Sequence, residues 1–104
     1  MINNKNFKII DKHIGCLTLS RSPFNALSSD FLSQIQNTIT DISKNIDCRV
    51  LIIKSSLDNF SVGADLKERK IMSKSESQNA LDIFNNCFNS IENLNIPTIC
   101  LING

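Results

Sequence analysis

Two short apolar runs limit what this chain can become. Val50-Leu51-Ile52-Ile53 and Thr98-Ile99-Cys100-Leu101-Ile102 are continuous rather than alternating and rich in β-branched residues. That is the pattern of strands covered on both faces, as in a parallel sheet. Between them, Ala80, Leu81, Phe84, Cys87, Phe88, Ile91 and Leu94 recur at helical spacing, which predicts a helix over residues 74–93 with the Phe84 and Phe88 rings in the core. Ser73-Lys74-Ser75-Glu76 has the hydroxyl and carboxylate spacing of a capping box at its start, and Pro97 stops it. Strand, helix and strand in that order form a βαβ unit, whose crossover is expected to be right-handed.

The earlier part of the chain adds a hairpin and a second helix. Phe7-Lys8-Ile9 and Ile14-Gly15-Cys16-Leu17-Thr18-Leu19 flank the polar Asp11-Lys12-His13 and read as a β-hairpin. Arg21 to Asn25 contains Pro23 and breaks regular structure, after which Ser28, Ser29 and Asp30 offer N-cap oxygens. A second helix is expected there, with Phe31, Ile35, Ile39, Ile42 and Ile46 as its apolar stripe. The fold class is therefore α/β.

Composition narrows the functional classes. Of 104 residues, 11 are basic and 10 acidic, a net charge of +1 that gives no electrostatic footprint for nucleic acid or an anionic membrane. No apolar run approaches the length of a membrane span, and Met1 to Phe7 has neither a signal-peptide core nor an Arg-rich transit pattern. Cys16, Cys48, Cys87 and Cys100 are widely spaced among apolar neighbours, without a C-x-x-C or zinc pattern, and read as buried free thiols suited to a reducing cytoplasm. His13 is the only histidine and reads as part of a solvated turn. Neither the nucleophile elbow, the P-loop nor the dinucleotide-binding glycine motif is present.

The chemistry concentrates in Phe60-Ser61-Val62-Gly63-Ala64-Asp65-Leu66-Lys67-Glu68-Arg69. Gly63 lacks a side chain and Ala64 carries only a methyl, so a ligand can approach this backbone closely, and Gly63 can take φ > 0. If Asp65-Leu66-Lys67-Glu68 opens a helix, its unpaired N–H groups face outward and suit a negatively charged oxygen. Asp65 and Glu68 share one helical face, but as a catalytic carboxylate pair they are the weaker reading. Acidic residues in a first turn complement the helix dipole, with Lys67 and Arg69 solvated between them.

These residues resemble the oxyanion-hole segment of the crotonase (enoyl-CoA hydratase/isomerase) family. Ile96-Pro97-Thr98-Ile99-Cys100-Leu101-Ile102-Asn103-Gly104 resembles the family's following Pro-Thr-hydrophobic-Asn-Gly strand, and Leu19 to Ser28 its loop after the early strand. The resemblance implies a crotonase-like (ClpP/crotonase) ββα-repeat spiral core, with residues 1–104 as the amino-terminal part of a single domain and its carboxyl-terminal part absent. It implies an enoyl-CoA hydratase-type lyase acting on an acyl-CoA thioester. Ala64 would give one oxyanion-hole donor through its backbone N–H, and each such donor contributes about 2.7–4 kcal/mol to the reaction.

By the same resemblance, Phe24, Ala26, Val62, Ala64, Asp65, Leu66 and Lys67 line the substrate site, Lys67 within reach of a CoA phosphate. The second donor and two catalytic glutamates are expected beyond Gly104, so the 104 residues alone are expected to be inactive. Ser22-Pro23-Phe24 is shorter than the commoner form of its loop. Lys67-Glu68-Arg69 followed by Met72-Ser73 is most similar to the methylglutaconyl-CoA hydratase branch, which implies fatty acid or branched-chain amino acid metabolism. No metal or resident cofactor is implied, since coenzyme A belongs to the substrate, and the full-length protein is expected to be a homotrimer or hexamer. The alternatives are a truncated acyl-CoA-binding or assembly partner without catalysis, or another reaction of the family such as enoyl-CoA isomerisation.

Overall fold

Four strands and three helices follow one another as β1 (Phe7–Ile10), β2 (Ile14–Leu19), α1 (Ser29–Ser43), β3 (Val50–Ser55), α2 (Leu66–Lys70), α3 (Lys74–Glu92) and β4 (Thr98–Cys100). This computed structural model describes residues 6–104, so the reading of Met1 to Lys5 as free of a targeting pattern falls outside it. The sheet order is β1-β2-β3-β4. β1 and β2 form the expected antiparallel hairpin, with Phe7 opposite Leu17, whereas β2–β3 and β3–β4 are parallel. Parallel neighbours need a crossover, and α1 supplies the first, α2 and α3 the second. The βαβ reading thus extends one unit further towards the amino terminus than the sequence pattern indicated.

Both long helices start where their capping residues dictate. Ser28 accepts the Phe31 N–H, and Ser73 and Glu76 exchange the two bonds of a capping box. The core lies between these helices and one face of the sheet. Leu17 and Leu19 of β2 and Leu51 and Ile53 of β3 meet Phe31, Leu32, Ile35, Ile39 and Ile42 of α1 and Cys87 of α3. Gly15 sits where the hairpin and the start of β3 converge, and a Cβ there would stand 2.6 Å from Cys48 Sγ and 2.9 Å from Phe7 Cε1.

Several expectations are corrected, among them the placing of the Phe88 ring in the core, since it is 41% exposed. β3 is deeply buried on one face only, with Leu51 and Ile53 enclosed and Val50 and Ile52 partly covered. β4 is a three-residue edge strand whose Ile99 is exposed, as are Leu101 and Ile102 beyond it. Among the described residues it pairs with β3 alone. Ile46 lies past the end of α1 and is 88% exposed, so the apolar stripe ends at Ile42, while Leu32 joins the core. Of the four cysteines, three are buried free thiols, and Cys100 is exposed on the edge strand.

α3 buries Ala80 and Cys87 fully, while Leu81 and Phe88 stay substantially exposed. Phe84 packs partly into the core with its ring centroid 4.7 Å from that of Phe88. His13 is in the hairpin turn as expected but is tethered rather than fully solvated. Its Nδ1 donates to the Asp47 carbonyl at 3.1 Å, and its own carbonyl accepts the Arg49 N–H at 2.8 Å.

Candidate functional site

The two stretches singled out in the sequence, Phe24 to Leu27 and Val62 to Asp65, lie side by side as a short parallel pair. The Val62 N–H donates to the Phe24 carbonyl at 3.1 Å, the Leu27 N–H to the Gly63 carbonyl at 2.7 Å, and the Asp65 N–H to the Leu27 carbonyl at 3.4 Å. Leu27 and Ala64 are the bridge partners. Phe24, Ala26, Val62, Ala64 and Asp65 are therefore brought together. Leu66 and Lys67 continue from them as the exposed start of α2. Phe24 is 52% and Val62 57% exposed.

This pairing determines how the Ala64 N–H is presented. A trans peptide is planar, so the carbonyl of one residue and the N–H of the next point in opposite directions. The Gly63 carbonyl is held by Leu27, so the Ala64 N–H faces away from the Phe24–Leu27 segment. Among the described residues no acceptor takes it. Gly63 reaches this arrangement with φ +88°, and nothing lies within 4 Å of where its Cβ would be.

The first turn of α2 differs from expectation. Asp65 is the N-cap, and its Oδ1 accepts the Lys67 N–H at 3.1 Å and the Glu68 N–H at 3.2 Å, so these donors are occupied rather than open to an anion. Asp65 Oδ2 also meets Arg21 Nη1 at 3.1 Å, and the same guanidinium nitrogen donates to the Ala26 carbonyl at 2.8 Å. The Glu68 N–H above all, then Arg21 and the Lys67 N–H, outweigh desolvation and hold the Asp65 carboxyl below its ordinary range. Glu68 turns towards α1, both its oxygens accepting the Ser29 N–H at 3.1 and 3.0 Å. Each carboxylate thus has a structural partner beyond the dipole of its own helix.

Asn25 is the residue that sequence reasoning left without a role. It is wholly buried at φ +54°. Its Oδ1 accepts the Arg21 N–H at 2.7 Å, and its Nδ2 donates to Ser55 Oγ at 2.8 Å and to the Phe60 carbonyl at 3.0 Å. The available signal was an asparagine in a Pro-containing loop, the residue after glycine that best tolerates the left-handed region. Ser61 was also missed. Its hydroxyl donates to the Asn25 carbonyl at 2.7 Å and accepts the Gly63 N–H at 3.0 Å.

An apolar crevice of about 130 Å³ adjoins the segment, lined by Leu19, Leu27, Phe60, Ser61, Phe88 and Cys100 among others. The segment Leu101 to Asn103 is tied to the entry of the site. The Phe60 N–H donates to the Asn103 carbonyl at 2.9 Å, and Asn103 Nδ2 to the Leu57 and Asp58 carbonyls at 3.0 Å each. Among the described residues no three His, Cys, Asp or Glu side chains group as metal ligands, and no helix is long and apolar enough to cross a membrane.

Comparison with known proteins identifies the family and the fold. The probable mitochondrial enoyl-CoA hydratase 2 of Arabidopsis thaliana is 40% identical over 81 residues, covering 77% of this chain and 27% of that protein. The mitochondrial methylglutaconyl-CoA hydratase of Homo sapiens is 35% identical over 81 residues, covering 77% and 24%. The crystal structure of an enoyl-CoA hydratase from Bacillus anthracis superposes with a TM-score of 0.89 at 31% identity, covering 96% of this chain and 40% of that one. This chain thus spans about a quarter of the length of these two curated relatives, and its fold is part of the crotonase-type α/β fold. With residues 10–104 also matching the family described as Enoyl-CoA hydratase/isomerase, the paired loops around Leu27 and Ala64 lie in a chain that belongs to that family.

Proposed function

We propose that this chain forms the thioester-binding part of an enoyl-CoA hydratase-type site. The observation that carries this reading is the unpartnered Ala64 N–H, set by the Leu27–Gly63 bond to face away from the protein's own acceptors. A thioester carbonyl placed there accepts that N–H, and the bond strengthens as the oxygen gains enolate character. Gly63 leaves the approach open. Phe24, Ala26, Val62, Asp65, Leu66 and Lys67 surround the donor as substrate-binding positions, and the neighbouring crevice is apolar enough for acyl methylenes. Coenzyme A arrives with the substrate, so the reading invokes no resident cofactor.

A second reading, acyl-CoA binding without catalysis by these residues alone, is favoured by one observation. Asp65 and Glu68, the two carboxylates nearest in sequence to Ala64, are committed to Arg21 and to the Ser29 N–H. Neither is free to move a proton at a substrate carbon.

Titration of the chain with trans-2-butenoyl-CoA in a calorimeter, with the conjugated enoyl absorbance followed in the same samples, separates the two. Binding with a shift of the enoyl absorbance to longer wavelength, the sign of a thioester carbonyl polarised by a hydrogen-bond donor, supports the first reading. Binding with an unshifted absorbance supports the second, and no binding removes both.

A further inference from the structure

We infer that Asn25 is the positioning residue for the Ala64 N–H, holding the peptide plane that presents it. That it serves catalysis rests on the thioester reading above. The placement of the donor stands on the geometry alone.

The Gly63–Ala64 peptide is three residues beyond Phe60 and belongs to neither a strand nor a helix. Something outside regular structure must fix its orientation. The contacts that do so centre on one residue. Asn25 Nδ2 donates to Ser55 Oγ at the end of β3 and to the Phe60 carbonyl where the site segment begins, with a longer bond of 3.3 Å to the Leu19 carbonyl at the end of β2. Its Oδ1 takes the Arg21 N–H. One amide thus joins the ends of both central strands to the two loops that form the site.

The Asn25 main chain carries the constraint onward. Its carbonyl receives the Ser61 hydroxyl, and that hydroxyl oxygen receives the Gly63 N–H. Two residues along the other loop, the Leu27 N–H donates to the Gly63 carbonyl. Gly63 is therefore held on both of its peptide groups, and planarity leaves the Ala64 N–H one direction. Asn25 also needs its own left-handed backbone, φ +54°, to aim side chain and carbonyl at different loops. A fully buried polar side chain with its hydrogen bonds satisfied on several sides is costly to replace and locks a single arrangement.

Two variants separate a positioning role from a merely structural one. Asn25→Gly retains access to the left-handed backbone and deletes the amide. Ser61→Ala leaves Asn25 in place and removes only the hydroxyl relay, at a partly exposed position. Amide resonances and hydrogen exchange are read by ¹⁵N NMR on the full chain without ligand. In both variants the Gly63 and Ala64 resonances move and the Leu27 N–H exchanges about tenfold faster, while Leu51 and Ile53 in β3 keep their protection. Unchanged Gly63 and Ala64 resonances in both variants overturn the proposal. So does faster exchange spread evenly through the sheet, the sign of lost stability alone.

Addition of trans-2-butenoyl-CoA, with coenzyme A as the control lacking a thioester, then tests the underlying reading. The wild-type Ala64 resonance shifts with the thioester and not with coenzyme A, and both variants lose that difference. If the wild type shows none, the thioester reading fails, while the ligand-free comparison still decides whether Asn25 positions the donor.

Discussion

The Leu27 N–H and the Gly63 carbonyl, 2.7 Å apart, join two loops that are far separated in sequence and leave the Ala64 N–H without an acceptor among the described residues. Gly63 makes this bond from φ +88°, with open space where a Cβ would lie. A side chain there meets no clash, so its cost is purely conformational. Gly63→Ala is expected to lower stability by about 1–2 kcal/mol, and Gly63→Asn by less, because asparagine enters the left-handed region more readily. Chemical denaturation of both variants checks the ranking, and equal losses would point to a steric cause.

Glu68 and Ser29 join α2 to the start of α1. The carboxylate accepts one of the N–H groups that an α-helix leaves unpaired at its first turn, where negative charge is also favoured. Glu68→Ala is expected to cost about 1 kcal/mol and Glu68→Gln less, since an amide oxygen still accepts the bond without the charge. The difference between them should shrink in high salt. Thermal melts at low and high ionic strength test this.

Much of this fold was legible because the information is local. Ser28, Ser73 and Glu76 announce their helices through caps that involve only neighbouring residues, and the apolar spacing of α1 and α3 finds their buried sides. What the spacing cannot encode is where a helix stops within a continuing pattern, which is why Ile46 looked like core. Nor does an apolar run reveal which of its faces will be covered, so β4 looked enclosed. The candidate site was legible as a segment but not as a mechanism of placement. Asn25 acts through partners four to 36 positions away, and no periodicity records such a hub. The partners of Asp65 and Glu68 were hidden for the same reason.

Asp65 and Glu76 make the fold sensitive to acid. The Asp65 carboxyl is held below its ordinary 3.8 chiefly by the Glu68 N–H, and Glu76 below its ordinary 4.5 chiefly by the Ser73 N–H. A carboxyl lowered in the folded chain binds fewer protons there than in the unfolded chain. Its contribution is present above the ordinary value and is lost as pH falls through the folded one. Asp65→Asn and Glu76→Gln are each expected to flatten the fall in stability below about pH 4.5, measured as the denaturation midpoint against pH. Parallel profiles for variants and wild type would rule this out.

The Thr98 hydroxyl oxygen, at the start of β4, is buried and has no hydrogen-bond partner among the described residues. Such an atom loses its water on folding and gains nothing in exchange. Thr98→Val keeps the branched shape and removes the unpaired oxygen, so it is expected to be neutral or to stabilise by about 1 kcal/mol. A loss of similar size in the denaturation midpoint would mean that the hydroxyl has a partner after all.

The four thiols should divide by burial. Cys100 is exposed, whereas Cys16, Cys48 and Cys87 are buried. Thiolates are the reactive form, and burial penalises them. Desolvation raises the Cys87 thiol to about 11, and it raises Cys48 too, partly opposed there by the Gly15 and Val50 backbone. Alkylation followed by mass spectrometry should therefore label Cys100 first and Cys87 only after unfolding. The same shift has a consequence for stability. Between the ordinary thiol value of 9.0 and about 11, the folded chain keeps a proton on Cys87 that the unfolded chain releases. Stability from this group is thus complete below the lower value and declines as pH rises through that window. Cys87→Ala removes the alkaline slope while opening a small cavity, so its midpoint should be lower at neutral pH and less dependent on pH above 9.0. A variant whose alkaline slope matches the wild type would assign that slope to other groups.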